Sequence, residues 1–470
     1  MVAIKPSSQG KALNITDKTN GQKKTIGVLD GVRAVACFTV IAYHINLITS
    51  SFHDWQPLAL GILIPGMMRM GAAGVTLFFV LSGFLLFMPY AKAMLFGSQW
   101  PSMRQFYLRR ALRILPGYYV SLGLIILWTH QEYLQPEHWK ELGLFLTFTM
   151  DSSRLTFQKL NGPFWTLAVE WQYYLLLPFL ALGFGWLVNR LGGKSLQRRW
   201  WMLIGCLTLM ACWGVSSRYW GPYLSSYTPH YFPPIILKGA IFFLYGISGK
   251  YLEDFAVGMI ISSCYILSQQ IATEHPLNWL KEGIHRYSAW LWGAGILTLL
   301  FMACWTGNYW YPHIIPLFDS LSSSYNQYNE IVPAVGYGLC VMALLFGSAN
   351  LRRPLEWMPV RWLGHISYSL YMWHLPILIS FITFAQSYAN SMKHLWVYGL
   401  YWVCVMLIII PFSYVFYLLV EQPWIRLGNK IIGKKQRIVL EKPASAKDKR
   451  ERSQKPDYER EKQAVRKSQG

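Results

Sequence analysis

The feature that limits this chain most is a succession of apolar blocks, each about as long as a bilayer is thick. A membrane-spanning helix needs about 17–25 predominantly apolar residues. Ten blocks meet that length, near residues 30–49, 72–91, 115–130, 165–187, 200–216, 253–270, 288–306, 332–349, 366–385 and 398–420. Soluble domains rarely carry 53% hydrophobic and 16% aromatic residues, and these residues come in spans rather than in amphipathic stripes. Shorter apolar pieces at 57–68, 142–150 and 235–248 are too brief, or too broken by Pro and Gly, to cross. They read as interfacial or re-entrant segments. The expected fold is all-α: a polytopic membrane helical bundle of about ten transmembrane helices.

The net charge of +21 invites a nucleic-acid partner, but its distribution argues for none. With the N-terminus inside, the inner loops carry Lys92, Arg104, Arg109, Arg110 and Arg113, then Arg190, Lys194, Arg198 and Arg199, then Arg352, Arg353 and Arg361. Residues 307–331, on the outer side, have no Lys or Arg. This is the positive-inside pattern, and with an even number of spans it places both termini in the cytoplasm. The first 28 residues are polar and the first block is too long for a cleavable signal peptide. The chain therefore divides into a polar segment at 1–28, a membrane domain at 29–425 and a basic tail at 426–470. The tail, rich in Lys, Arg, Glu and Ser, is expected to be disordered or a loose helix on the anionic inner leaflet. The seven cysteines lie in or beside apolar segments without metal-ligand spacing. They read as packing residues, and no metal is expected. No internal repeat of the transporter kind is visible.

Ionisable residues inside a membrane helix are costly and read by default as functional. In the first span Arg33 and His44 are eleven residues apart. Eleven steps of about 100° come to three turns plus about 20°, so both lie on one face, about 16 Å apart along the axis. Arg110 and Arg113, at i and i+3 before the third span, project together. Paired guanidinium forks suit phosphate better than lysines do, although arginines here also serve as membrane anchors. Glu170 enters the fourth span from outside, about six residues or 9 Å below its outer end, and His44 lies at a similar depth. The two can form a dyad in which Glu170 orients and charges His44, or only a structural hydrogen bond. In the ninth span Ser367, Tyr371 and His374 fall at i, i+4 and i+7, a polar stripe that lines a cavity or pins helices together. Glu421-Gln422-Pro423 closes the last span: Pro423 is expected to stop the helix and Glu421 to pair with an inner arginine. The small-residue run from Gly71 to Phe84 makes room for a neighbouring helix.

In order and spacing these elements resemble the acyltransferase-3 family of integral membrane acyltransferases, from about Leu29 to Trp424. Leu29-Asp-Gly-Val-Arg33 with His44 resembles the family's Arg-x10-His element, and Arg110-Ala-Leu-Arg113 its RxxR element. Val75 to Phe84 resembles the second helix, and Phe164-Trp-Thr-Leu-Ala-Val-Glu170 the usual Trp-Ser/Thr-Leu-Ser-Val-Glu stretch. Ile366 to His374 and Glu421-Gln-Pro resemble the closing elements. Two departures are Ala168, where Ser is commoner, and Trp171, where a second Glu is common.

The resemblance implies a membrane acyltransferase that moves an acyl group, acetyl first, from acyl-CoA to a hydroxyl of a cell-envelope glycan or similar acceptor. Its implied catalytic residues are His44, Glu170 and Arg33. Arg110 and Arg113 would hold acetyl-CoA or another short acyl-CoA arriving from the cytoplasm. Trp165, Ser367, Tyr371 and His374 would line the substrate cavity. His44 would act as base for direct attack or as an acyl relay. The acceptor would be a glycan, a lipid-linked saccharide or a small molecule, and the location the inner membrane. No SGNH esterase domain is seen, which implies a stand-alone form. The competing reading is a proton-coupled transporter or flippase that uses the same buried His, Glu and Arg groups.

Overall fold

The computed structural model describes residues 13–50, 62–226, 234–272, 274–311, 314–389 and 394–441. The first twelve residues, the opening of the 57–68 segment and the tail beyond residue 441 lie outside the described residues. Among the described residues every regular element is helical and there is no strand.

Helix α1 (Leu13–Ser50) starts well inside the polar segment, and its membrane-competent part is Gly27–Thr49. A short α2 (Leu63–Met70) runs through a tight turn at Gly71–Ala73 into α3 (Gly74–Phe96), and together they make one 34-residue span. Next come α4 (Met103–Thr129), the short α5 (Trp139–Leu146), α6 (Phe164–Gly192) and α7 (Leu196–Ser226). After α8 (Pro234–Leu244) follow α9 (Leu252–Gln270), α10 (Asn278–Arg286) and α11 (Ser288–Trp310). The short α12 (Pro316–Ser320) and α13 (Tyr325–Tyr328) lead into α14 (Ile331–Phe346). Two amphipathic pieces, α15 (Ala349–Glu356) and α16 (Met358–His365), precede α17 (Ser367–Ala389). The last span runs from α18 (His394–Cys404) through α19 (Ile410–Phe416) into α20 (Gln422–Glu441).

The architecture is the expected all-α polytopic bundle. Seven described helices are long and apolar enough to cross, and nine if two bent pairs each count as one span. One pair bends by 78° before α14, and the other by 73° between α16 and α17. The remaining expected span, 253–270, is α9, which is not among them. Its sequence mixes Glu253, Asp254 and three serines with apolar residues, and nearly all of it is buried by protein. Polar groups in a membrane helix must face protein rather than lipid, so α9 sits at the centre of the bundle.

Glycine sets that central contact. A Cβ on Gly83 of α3 would lie 2.2 Å from the Phe255 carbonyl oxygen, and one on Gly258 of α9 would lie 2.0 Å from that of Val80. Small residues let helix backbones approach where a side chain would block them. Gly71 and Gly74, at the other end of the same small-residue run, admit the backbone of α1 at Thr39 and Ala36. The neighbour the run was expected to accommodate is thus two helices, one at each end. Aromatic stacking ties α6 and α3 to α9: the Phe255 ring lies 3.7 Å from that of Tyr173 and 4.8 Å from that of Phe79, centroid to centroid.

Pro423 does not stop the last helix, contrary to expectation. The chain takes π-helical turns at Val405–Ile409 and Tyr417–Glu421, the turns that run up to Pro411 and Pro423, and continues to Glu441. Proline cannot donate to the carbonyl four residues back and its ring crowds it; a wider turn accommodates both. The lipid-facing side is carried by exposed apolar residues such as Leu127, Phe179, Leu297, Leu407 and Leu419.

Candidate active site

Arg33 from α1, Arg110 and Arg113 from α4, Glu170 from α6 and Ser367 and Tyr371 from α17 all line one cavity. Six of the nine residues singled out in the sequence therefore converge, from four helices. Each arginine is half-buried, whereas the neighbouring Arg109 is exposed, as the i, i+3 spacing of Arg110 and Arg113 requires. Arg33 is held by Asp30 one turn below it, Nη1 to Oδ1 at 3.4 Å, and Asp30 also faces Arg361 at 3.8 Å. Arg110 packs 5.8 Å above the Tyr174 ring and leaves its Nε without a hydrogen-bond partner. The arginine end of the cavity thus presents cations with donors to spare.

Glu170 occupies the same cavity but does not bond His44. Its Oε1 accepts hydrogen bonds from Ser82 Oγ at 2.6 Å and from the Tyr174 hydroxyl. Tyr174 stands at i+4 from Glu170, so its proximity follows from helix periodicity. Ser82 belongs to α3, and nothing local in the sequence points to it. Phe78, Phe79, Leu81 and Leu85 of α3 supply the apolar wall.

His44 and His374 lie one turn beyond the cavity's Tyr371. His374, fully buried, places Nε2 3.2 Å from His44 Nδ1. His374 Nδ1 is 2.7 Å from the Tyr371 carbonyl oxygen, and His44 Nδ1 is 2.9 Å from that of Val40. A carbonyl oxygen can only accept, so in the neutral pair each ring carries its proton on Nδ1. His374 Nε2 is then bare and accepts from His44 Nδ1–H, which it shares with Val40. The remaining nitrogen, His44 Nε2, is left unprotonated. This tautomer leaves His44 Nε2 able to accept a proton, and the ring's side-chain partner is a histidine rather than a carboxylate.

The rest of the stripe holds these groups in place. Tyr371 donates its hydroxyl proton to Thr166 Oγ1 at 2.8 Å, because Thr166 already donates to the Pro163 carbonyl at 2.8 Å. Asn161 Nδ2 donates to the Met372 carbonyl at 2.8 Å and ties the entry of α6 to α17. Glu421 is buried and accepts from Ser369 Oγ; among the described residues it forms no ion pair with an arginine. Trp165 lines a different cavity, on the far side of Val75.

Two buried ion pairs were not foreseen. Arg218 of α7 pairs with Glu253 of α9, and Lys250 pairs with Asp151 while donating to Ser152 Oγ at 2.9 Å. Gln172 Nε2 adds bonds of 2.8 Å to Asp151 and to the Phe148 carbonyl, fastening the 148–163 loop over α6. Each pair joins distant segments, and no spacing rule reveals it.

The model of the family described as an acyltransferase domain matches residues 26–418. Among curated proteins, the peptidoglycan O-acetyltransferase OatA of Listeria monocytogenes is 26% identical over 385 residues, covering 77% of this chain and 50% of its own. YrhL of Bacillus subtilis, provisionally named a peptidoglycan O-acetyltransferase, is 24% identical over 367 residues, covering 75% and 48%. A provisionally named O-acetyltransferase of Staphylococcus aureus is 24% identical over 432 residues, covering 86% and 58%. The chain spans about half the length of the first two relatives. No solved structure matches it significantly. The ordered motifs, the helical bundle that brings them together and the match over most of its length show that this chain belongs to the acyltransferase-3 family of membrane acyltransferases.

Proposed function

We propose that the protein transfers an acetyl or other short acyl group from cytoplasmic acyl-CoA to a hydroxyl of a cell-envelope glycan, with His44 as the base. The observation that carries this reading is the convergence of Arg33, Arg110 and Arg113 on a cavity whose far end lies one helical turn from the His374–His44 pair. Three guanidinium groups with free donors suit the phosphates of CoA. The about 16 Å between Arg33 and His44 along α1 leaves room for an extended arm between phosphates and thioester. Relatives named as peptidoglycan O-acetyltransferases support a glycan acceptor. The loop charges favour both termini in the cytoplasm, and the family resemblance implies the inner membrane.

In the reaction, His44 Nε2 takes the proton of the acceptor hydroxyl as its oxygen attacks the thioester carbonyl carbon. The C–S bond breaks, CoA leaves as thiolate, and the proton held by His44 returns to it. His374 accepts from His44 Nδ1–H throughout and so steadies the imidazolium without being a carboxylate. Glu170, held by Ser82 and Tyr174, balances charge at the arginine end. The test is free-thiol release from acetyl-CoA by the purified protein with a crude envelope-glycan extract. Release that rises with extract and is lost in His44→Ala supports the reading. Substantial transfer by His44→Ala overturns it, and folded protein that neither binds nor cleaves acetyl-CoA moves the reading to a transporter.

A further inference from the structure

Val75 of α3 lines the arginine-bearing cavity and also a second cavity, so at this point one side chain stands between them. Its neighbours in the chain are committed elsewhere. Gly74 has no side chain and packs against α1, where a Cβ would come within 2.8 Å of Val40 Cγ2. Thr76 is buried and donates at 2.7 Å to Glu330, which lines the second cavity. On α6 two consecutive residues divide in the same way: Trp165 lines the second cavity and Thr166 the first. Thr166 is fixed by its hydrogen bonds to the Pro163 carbonyl and to the Tyr371 hydroxyl, both of 2.8 Å. The α6 side of the partition is therefore backbone and a bonded side chain. The α3 side is one half-buried isopropyl group.

Val75 also stands close to the histidine pair. The face of α3 toward the first cavity includes Val75, Phe78, Phe79, Ser82 and Leu85, at i, i+3, i+4, i+7 and i+10. Val75 begins that face, about 15 Å along the axis from Leu85. With Phe78 it packs against the apolar cluster that contains Val40 and Tyr371. Val40 supplies the carbonyl oxygen that His44 Nδ1 meets at 2.9 Å. The Phe78 ring meets that of Tyr371 edge-on, 5.7 Å between centroids, and continues the wall beside Val75.

We propose that Val75 sets the length of the acyl group that the protein transfers. The inference rests on the acyl-transfer reading, which supplies the donor, and adds the residue that limits its acyl chain. A thioester brought to His44 places its acyl tail against Val75, Phe78 and Tyr371. A two-carbon group ends at the isopropyl group. A longer one needs the space beyond, and that space belongs to the second cavity. Val75→Ala removes two methyl groups from the partition and joins the two cavities, whereas Val75→Leu thickens it.

Thiol release from acetyl-, butyryl- and hexanoyl-CoA by the purified full chain, with the envelope-glycan extract, gives kcat/KM for each ester. The wild type is expected to favour acetyl over hexanoyl by at least about a hundredfold, since a hydrophobic pocket discriminates about 10–200-fold for a single methylene. Val75→Ala should cut that preference at least about tenfold by raising the longer esters, with acetyl little changed. Val75→Leu should deepen the preference against butyryl. A merely structural role would lower all three esters together and leave their ratios alone. Unchanged ratios in Val75→Ala, or a wild type that uses hexanoyl-CoA as well as acetyl-CoA, would overturn this inference and leave the acyl-transfer reading standing. Release from none of the esters would overturn that reading and this inference with it.

Discussion

His374 Nε2 and His44 Nδ1 are 3.2 Å apart although 330 residues separate them in the chain. Their two hydrogen bonds to carbonyls assign every proton in the neutral pair and leave His44 Nε2 bare. Under the proposed mechanism His374 positions the base rather than performing the transfer. His374→Ala should lower kcat by about a hundredfold, within the usual range for an acid–base element. The KM for acetyl-CoA should change less than threefold. His374→Gln, whose amide oxygen can accept from His44, should recover part of the loss. Steady-state thiol release by the three proteins decides the point.

Under the same proposal Arg110 and Arg113 hold the donor's phosphates. Losing one charge-assisted phosphate contact of about 2 kcal/mol corresponds to about thirtyfold weaker binding. Arg113→Ala should raise the KM for acetyl-CoA by about that factor, with a smaller change in kcat. Arg109→Ala, on the exposed side of the same helix, should leave KM alone. An unchanged KM in Arg113→Ala would count against the phosphate role.

Glu170 depends on its two donors. Tyr174→Phe or Ser82→Ala leaves a carboxylate oxygen short of a partner, a loss of about 1–3 kcal/mol in a buried setting. Both variants should unfold at a lower temperature than the wild type in detergent, and the double variant lower still. Thermal unfolding followed by circular dichroism would show it.

The α3–α9 crossing depends on the absence of a side chain. Gly83→Ala would drive a Cβ to 2.2 Å from the Phe255 carbonyl oxygen, and backbone cannot swing aside as a side chain can. Little monodisperse protein should be recovered on size-exclusion chromatography. Gly123→Ala, where a Cβ meets nothing within 4 Å, should be neutral or slightly stabilising because alanine favours helix. Equal recovery of both variants would refute the packing argument.

The buried pair between Arg218 and Glu253 predicts an asymmetry. Arg218→Leu alone strands a carboxylate in the bundle and should cost about 3–5 kcal/mol. The double change Arg218→Leu with Glu253→Gln should recover much of that loss. Expression level and unfolding midpoint compare the two.

The sequence by itself determined that this is an all-helical membrane protein, because apolar length and loop charge are properties of contiguous residues. It also placed Arg33, Arg110, Arg113, Glu170, Ser367 and Tyr371 toward one interior, since helical periodicity decides which residues share a face. The same periodicity puts Tyr174 on the face of Glu170, four residues away, but nothing in the sequence singled it out. The tertiary structure alone decided the partners. Glu170 went to Ser82 and Tyr174 instead of His44, and His44 to His374, because depth along a helix axis says nothing of its rotation relative to helices hundreds of residues away. For the same reason Trp165, counted with the first cavity, lines the second, and α9 passes as a span in sequence yet lies wrapped in protein. Hydropathy records how apolar a segment is. Only packing records whether its neighbours are lipid or other helices, and here the close approach at Gly83 and Gly258 settles that.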